Sequence, residues 1–256
     1  MSALARALRP FALVALGLAG WELLSRSGLT SPLLVPSLGR IGWELGRLAT
    51  RLDSLAEVWQ SLHRALVGFA LAAVVGIAIG ILMGRSRVAA AVFDPLLAGT
   101  YPVPKIALFP IFVFVFGIGS LSKIALVFLE CLYPIVVTTY AGSRVVNRVL
   151  VWSALNMGAS PARVLWRIVV PATAPYIFAG FRIALPVAMI VVIITEMLSS
   201  ADGLGYLAMY SLASLKTDRM LAVAVAIALL GLGLDRVLVL VRDRVVFWER
   251  LDSYYA

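Results

Sequence analysis

Six long apolar stretches dominate this sequence of 256 residues, near 10–24, 61–84, 88–116, 121–142, 168–198 and 219–241. A helix needs about 20 apolar residues to cross a bilayer, whereas a strand of a membrane barrel needs only about 9–11 residues of alternating polarity. With 62% hydrophobic and 14% charged residues, the chain has more apolar surface than a soluble domain could bury. We therefore predict an all-α, polytopic membrane bundle of about six transmembrane helices.

The first stretch has some features of a signal peptide. Arg6 and Arg9 precede the apolar residues 11–20, as in the charged and apolar regions of such peptides. No A-x-A cleavage site follows, because the next residues are Trp21 to Leu24. We expect an uncleaved first span.

The net charge of +9 would suggest a nucleic acid partner in a soluble protein, but in a membrane protein such an excess marks loops on the cytoplasmic side. If the N-terminus is cytoplasmic, twelve Lys and Arg residues fall in inner segments and eight, including Arg64 and Lys123, in outer ones. The bias predicts cytoplasmic N- and C-termini and no nucleic acid partner.

Residues 25–60, with tryptophans and leucines between charges, are predicted as an amphipathic interfacial helix. We accordingly divide the chain into 1–60, the first span with this connector, and 61–256, the core.

Two patterns concern helix packing. Gly68, Ala72, Gly76, Gly80 and Gly84 recur every four residues and form one stripe of small residues, which predicts a close helix contact, either within the chain or between subunits. Prolines are frequent in the third to fifth spans and tend to kink or break helices, which favours a transport pathway over ordinary spans; these are Pro95, Pro102, Pro104, Pro110, Pro134, Pro171, Pro175 and Pro186.

Charged residues within or at the edges of spans are costly unless they pair or face a polar interior. They are Lys105, Glu130, Arg182 and Glu196. Either they line a path for a solute or they form structural ion pairs. As candidate pathway residues we single out Phe109, Phe112, Glu130 and Glu196, although phenylalanines at helical spacing also serve as ordinary packing.

The sequence offers little for catalysis. His63 is the single histidine and Cys131 the single cysteine, so histidine-based zinc sites and intrachain disulfides are excluded, and Cys131 is predicted to be a buried structural thiol. No phosphate-binding G-x-x-x-x-G-K-[ST] loop is present. We expect no enzymatic activity, metal or cofactor, and transport driven either by an ion gradient or by the ATPase of a partner.

The predicted cytoplasmic segment, residues 143–167, has the pattern of a short helix–turn–helix. A helix around Trp152 to Met157 is interrupted at Gly158 and restarts with Ser160 as N-cap and Pro161 at the first helical position. Val164, Leu165 and Ile168 add an apolar stripe. Such an element is suited to a groove on a partner protein.

This segment resembles the cytoplasmic loop of permease subunits of bacterial ABC importers, whose pattern is E-A-A-x-x-x-G-x9-I-x-L-P. Ser153, Ala154, Gly158, Ile168 and Pro171 fall at the matching spacing, Val170 replaces the Leu, and Trp152 stands in place of the usual acidic residue. Further stretches resemble the nitrate/sulfonate/taurine branch: 61–69, 101–107, 116–119, 196–197 and 203–206.

The resemblance implies a type I importer permease in the bacterial inner membrane that forms a homodimer surrounded by lipid. Each copy would dock one subunit of a cytoplasmic ATPase dimer, which carries ATP and Mg²⁺, and a periplasmic or lipid-anchored binding protein would deliver a small, often anionic solute such as nitrate, a sulfonate, taurine or a vitamin precursor. The implied ATPase contacts are Trp152, Ser153, Ala154, Gly158, Ala159, Ser160, Pro161, Ile168 and Pro171. An ion-gradient-driven secondary transporter is the alternative, and the inverted repeats that would support it are not evident in the sequence.

Overall fold

The computed structural model describes residues 3–31 and 33–248, with side chains from residue 12 onward. Every regular element in this part of the chain is helical, as predicted. The helices are α1 (Ala3–Arg26), α2 (Leu38–Thr50), α3 (Leu52–Arg85), α4 (Arg87–Thr100), α5 (Phe109–Phe116), α6 (Ser120–Val145), α7 (Arg148–Asn156), α8 (Pro161–Val164), α9 (Val170–Leu198), α10 (Leu204–Ala213) and α11 (Thr217–Val245), with a 3₁₀ turn at Lys105–Leu108 and a π-helical turn at Leu165–Val169.

Four helices are long and apolar enough to cross a membrane: α3, α6, the continuous segment Pro161–Leu198 that contains α9, and α11. A fifth span is formed if α4 and the segment Lys105–Phe116 are counted together, although they are bent by 85°. The sixth predicted span, 10–24, lies within α1 and stays a prediction. The side chains of Arg6 and Arg9 lie outside the described residues, as does Arg250, which also counted towards the charge bias.

The predicted amphipathic connector contains α2, which Ser37 caps by accepting a hydrogen bond from the Arg40 amide. Part of its apolar side packs against other helices of the chain. Leu45 and Leu48 pack in a cluster with Leu207 of α10 and Val223 of α11. The connector is therefore also part of the protein core.

The stripe of small residues on α3 packs against α6. A Cβ atom built on Gly68 would lie 2.6 Å from Val127 Cγ1, and one on Gly80 would lie 2.6 Å from Thr139 Cβ. The Ser143 hydroxyl donates to the Gly80 carbonyl at 3.1 Å. Of the two packing alternatives, the structure shows contact within the chain.

The prolines behave differently from one another. Both α6 and α9 continue through Pro134, Pro175 and Pro186, so these prolines do not end their helices. The sharp break in helical structure lies between α4 and α5, where the chain contains Pro102 and Pro104. Two prolines within three residues remove neighbouring backbone donors, whereas a single proline costs a helix one hydrogen bond.

The main core lies between α3, α6 and α9. Cys131 is fully buried there, as predicted, and its thiol donates to the Ala184 carbonyl at 3.3 Å. Its neighbours include Ala72 of α3 and Ile135 of α6.

The close contact between α3 and α6 predicts a specific effect of adding one methyl group. In Gly80→Ala the new Cβ would overlap Thr139, and overpacking of this kind costs about 1–3 kcal/mol. Gly231→Ala on α11 is the matched control, because no atom lies within 4 Å of its added Cβ and alanine favours a helix over glycine by about 1 kcal/mol. In unfolding experiments in detergent we expect Gly80→Ala to be less stable than the parent and Gly231→Ala to be at least as stable. Equal stability of the two variants would contradict the packing described.

Candidate coupling segment and membrane-buried charges

The segment 143–167 forms the predicted helix–turn–helix. Asn147 caps α7 by accepting a hydrogen bond from the Val149 amide at 2.8 Å. Ser160 caps α8 by accepting from the Arg163 amide at 3.3 Å, with Pro161 in the first turn. We call residues 143–167 the coupling segment, and its role stays a prediction.

Gly158 ends α7 in a Schellman motif. Its amide donates to the Leu155 carbonyl at 3.0 Å, and the Ala159 amide donates to the Ala154 carbonyl at 3.0 Å. The φ angle of Gly158 is +83°, a left-handed conformation that costs other L-residues about 1–2 kcal/mol. An added Cβ would meet open space. Glycine is therefore required by the backbone angle and not by crowding within the chain.

The coupling segment has an anchored face and an exposed face. Val151 and Ala154 of α7 pack with Val164 of α8 and with Ile81 near the end of α3. Leu165 and Ile168 of the predicted apolar stripe pack against this same cluster. They therefore attach the segment to the rest of the chain and do not belong to its exposed face. The exposed face contains Trp152, 60% exposed, and Met157, 80% exposed, together with Leu155.

The other residues implied in ATPase contact are distributed between these faces. Ser153, Ser160 and Pro161 are exposed, while Ala159 and Pro171 are half-buried. Pro171 follows the π-helical turn Leu165–Val169, where the chain enters α9. A π turn at this point accommodates a proline that cannot donate to the preceding helical turn.

A buried ion network joins α3 to the end of α9. Arg64 donates to Glu196 Oε1 at 2.7 Å and to Asp202 Oδ1 at 2.6 Å. Ser61 donates to Glu196 Oε2 at 2.7 Å. Arg64 and Glu196 are only 2% and 1% exposed, and a buried charge of this kind is tolerated when it is paired and hydrogen-bonded.

The loop after α9 closes over this network. The Gly205 amide donates to Glu196 at 3.1 Å, and the Gly203 amide donates to Glu57 of α3. Gly203 has a φ of +99°, and an added Cβ would collide with the Glu196 carboxylate. Burial alone would raise the pKa of Asp202, but the hydrogen bond and the positive charge of Arg64 bring the net shift below its ordinary value.

Arg64 and Lys123 are not loop charges, contrary to the sequence-based count. Lys123 is 1% exposed, and its ammonium donates to the carbonyls of Ile118 and Gly119 at 2.8 and 3.3 Å. Arg64 also donates to the Ser120 hydroxyl at 3.0 Å. One signal in the sequence pointed to this: Ser61 and Arg64 continue the face of α3 that carries Gly68 and Ala72.

The candidate pathway residues are not brought together as one lining. Glu196 has both carboxylate oxygens bonded within the network, and Phe109 is 4% exposed in the main core. Neither of them faces an open path in this structure. Phe112 stacks on Phe116 with 6.1 Å between ring centroids, and Glu130 is half-buried on α6.

The remaining intramembrane charges find separate partners. Arg182 lies 3.6 Å from Asp235 of α11. Lys105, at the break between α4 and α5, lies 5.7 Å from the ring centroid of Tyr133, on which Tyr101 stacks at 4.7 Å. The four charged residues named from the sequence therefore do not pair with one another.

The described residues contain no group of three or more His, Cys, Asp or Glu side chains that could hold a metal ion. His63 lies beside Trp59, with ring centroids 6.2 Å apart. It takes no part in the network formed by its neighbour Arg64.

Comparison with known proteins decides the family. The model of the family "Binding-protein-dependent transport system inner membrane component" matches residues 76–247. This chain belongs to that family. The permease is thus the inner-membrane component of an ABC importer, as the resemblance indicated.

Two relatives and one solved structure are similar to the permease. It is 32% identical to the taurine transport system permease protein TauC of Escherichia coli over 89% of its own length and 85% of the relative's. It is 37% identical to the formylaminopyrimidine transport permease protein ThiX of Halalkalibacterium halodurans over 73% of its own length and 74% of the relative's. A structure of the inward-facing MetNI methionine ABC transporter matches with a TM-score of 0.59 at 18% identity, covering 80% of the permease and 96% of that chain, and shows a shared fold.

The buried network predicts a large loss of stability when its cation is removed. Arg64→Ala would leave the Glu196 carboxylate buried without its counter-ion, and breaking such a pair costs about 3–5 kcal/mol. Arg40→Ala is the control, because Arg40 lies exposed on α2 and surface changes alter stability by less than about 0.5 kcal/mol. Unfolding in detergent measures both.

A double replacement separates a missing charge from a missing side chain. In Arg64→Met with Glu196→Met both charges are absent, and we expect much of the lost stability to return. Stability of Arg64→Ala equal to that of Arg40→Ala would show that the ion network does not hold α3 and α9 together.

Proposed function

We propose that this permease works as a homodimer in which each copy docks one subunit of a cytoplasmic ATPase dimer through its coupling segment. ATP and Mg²⁺ are held by the ATPase, and a separate binding protein delivers the solute from outside. ATP-driven closure of the ATPases then shifts the bundle between inward-open and outward-open states, which is alternating access by population shift.

The observation that carries this proposal is the two-sided packing of the coupling segment. One face is fixed to Ile81 of α3 and continues into α9 through the π-helical turn. The other face leaves Trp152, Leu155 and Met157 exposed. A partner seated on the exposed face would have a direct mechanical connection to two membrane helices.

The break between α4 and α5 supports a second copy. None of the residues of α4 is buried, and Phe109 is the only buried residue of α5. Irregular backbone at membrane depth requires cover by protein or a water-filled path. We infer that the second copy covers this broken span and that the solute passes beside it.

The termini are proposed to be cytoplasmic, as the charge bias predicts. Arg64 and Lys123 counted against this orientation when they were taken as outer loop residues, and both are buried within the protein. Removing them from the outer tally strengthens the excess of positive charge on the inner side.

The solute is proposed to be small and anionic. One relative is named for taurine, which carries a sulfonate group, and another for a formylaminopyrimidine. The binding protein that serves the permease would distinguish the two classes. We expect taurine or another sulfonate to raise its melting temperature in a thermal shift assay, whereas stabilisation by formylaminopyrimidine alone would contradict the anionic solute.

Substitution of Gly158 tests the coupling segment. In Gly158→Val a β-branched residue is forced to a φ of +83°, so the Schellman turn is strained and the exposed face is displaced. We expect this variant to insert in the membrane and to lose most solute uptake and most of the co-purified ATPase. Gly158→Asn is the matched control, because asparagine tolerates the left-handed conformation better, and it should keep more of both.

Purification of the tagged permease with co-expressed neighbouring gene products gives the decisive readout. Recovery of two permease chains with two ATPase chains is expected. Uptake and ATPase recovery unchanged in Gly158→Val would overturn the role of the coupling segment. A permease that purifies without an ATPase, and that takes up solute in liposomes under an ion gradient, would instead support a secondary transporter.

A further inference from the structure

Four arginines line one cavity beside the coupling segment. The cavity has a volume of about 440 Å³ and lies where the end of α3, the start of α4, the end of α6 and the start of α7 meet. Its polar lining consists of Arg85, Arg87, Arg144 and Arg148 together with Tyr140 and Trp152.

No carboxylate neutralises this cavity within the described residues. None of the four arginines forms an ion pair there, and Arg144 has only Tyr140 as a partner, with its guanidinium 5.4 Å from the ring centroid. Like charges gathered in one concavity repel one another. All four are exposed to solvent, so their guanidinium groups are free to bind an anion that enters the cavity.

Two of these arginines also lie at the N-termini of helices, where the helix dipole makes a positive side chain unfavourable. Arg87 is the first residue of α4 and Arg148 is the first residue of α7. The N-terminus of a helix carries a partial positive charge and favours anions, so a cation there is unfavourable. Neither helix has an acidic residue in its first turn. The cavity thus combines four guanidinium groups with two helix ends of the same sign.

We propose that an acidic segment of the cytoplasmic ATPase inserts into this arginine cavity when the ATPase docks. The inference rests on the proposed function, because it assumes that the coupling segment is the ATPase docking site. Arginine binds carboxylates through paired, charge-assisted hydrogen bonds. The cavity would hold the acidic segment by several such contacts.

The position of the cavity favours the ATPase over a lipid headgroup. Val151 and Trp152 belong both to the coupling segment and to the cavity wall, so a protein that covers Trp152 also covers the cavity. The coupling segment contains four arginines and no Asp or Glu, and no acidic residue occurs anywhere from 131 to 195. The charged residues that a partner meets here are all basic, and acidic residues on the partner would complement them.

Trp152 also lines the cavity, and its side chain adds no carboxylate to it. An exposed tryptophan beside a basic cavity provides an apolar anchor next to the ionic contacts. Docking would thus use positive charge on the permease and negative charge on the ATPase.

Charge reversal at the two helix N-termini tests the proposal in the co-expressed complex. Arg87→Glu with Arg148→Glu removes two of the four positive charges, while glutamate at a helix N-terminus favours folding. We expect binding of the ATPase to weaken by about tenfold or more, with release at lower salt concentration. Arg163→Glu is the control, because Arg163 is exposed on the same coupling segment but does not line the cavity; it should weaken binding by less than about threefold.

Crosslinking identifies what enters the cavity. Arg148→Lys keeps the charge and supplies an amine that a carbodiimide joins only to a carboxylate in direct contact. A crosslink to an Asp or Glu of the ATPase supports the proposal. Equal ATPase retention by the double-glutamate variant and the parent would overturn it, and loss of co-purified anionic lipid in native mass spectrometry would then assign the cavity to a lipid headgroup.

Failure of this inference is distinguishable from failure of the proposed function. If the ATPase does not co-purify with the unaltered permease, the docking role itself is wrong. If it co-purifies and is lost in Gly158→Val but not in the double-glutamate variant, docking at the coupling segment stands and only the arginine cavity is excluded.

Discussion

The close approach of α3 and α6 is the constraint on which the rest of this bundle depends. Apolar side chains gain little by leaving lipid for a helix interface, so membrane helices associate through dense packing and polar contacts. Gly68, Gly76 and Gly80 bring the two backbones together along much of their length. Contacts at both ends of α3 then place α9 and the coupling segment relative to this pair.

The two ends of α3 differ in their electrostatics. In its N-terminal half Arg64 is enclosed by Glu196, Asp202 and Ser120, so its donors are satisfied within the chain. At the other end Arg85 faces three more arginines across a cavity without a neutralising carboxylate in the described part of the chain. A satisfied network fixes the structure around it. The proposed docking of an acidic partner at the basic end would supply the carboxylates that the described part of the chain does not.

Much of the fold could be predicted from the sequence, because length and hydrophobicity largely determine membrane helices. The helix–turn–helix at 143–167 could also be predicted from the sequence, because Ser160, Pro161 and Gly158 each favour a particular backbone geometry. The partners of the intramembrane charges could not be predicted in this way. Which carboxylate Arg64 meets depends on the packing of α3 against α9, and residues more than 130 positions apart do not reveal that pairing through local spacing. Similarly, the arginine cavity gathers residues from four helix ends.

The glycines around the ion network explain why two stretches of family resemblance belong together. The stretch that begins at Ser61 supplies two donors to Glu196, and the stretch at 203–206 supplies a third through the amide of Gly205. Gly203 must be a glycine because its backbone passes directly over the Glu196 carboxylate. Either stretch by itself would be weak evidence for the family. Because a buried carboxylate needs all of its donors in place, the residues of both stretches are constrained as one unit. The same requirement makes Glu196 a structural anchor of the loop after α9 in this conformation, although it lies within a transport protein.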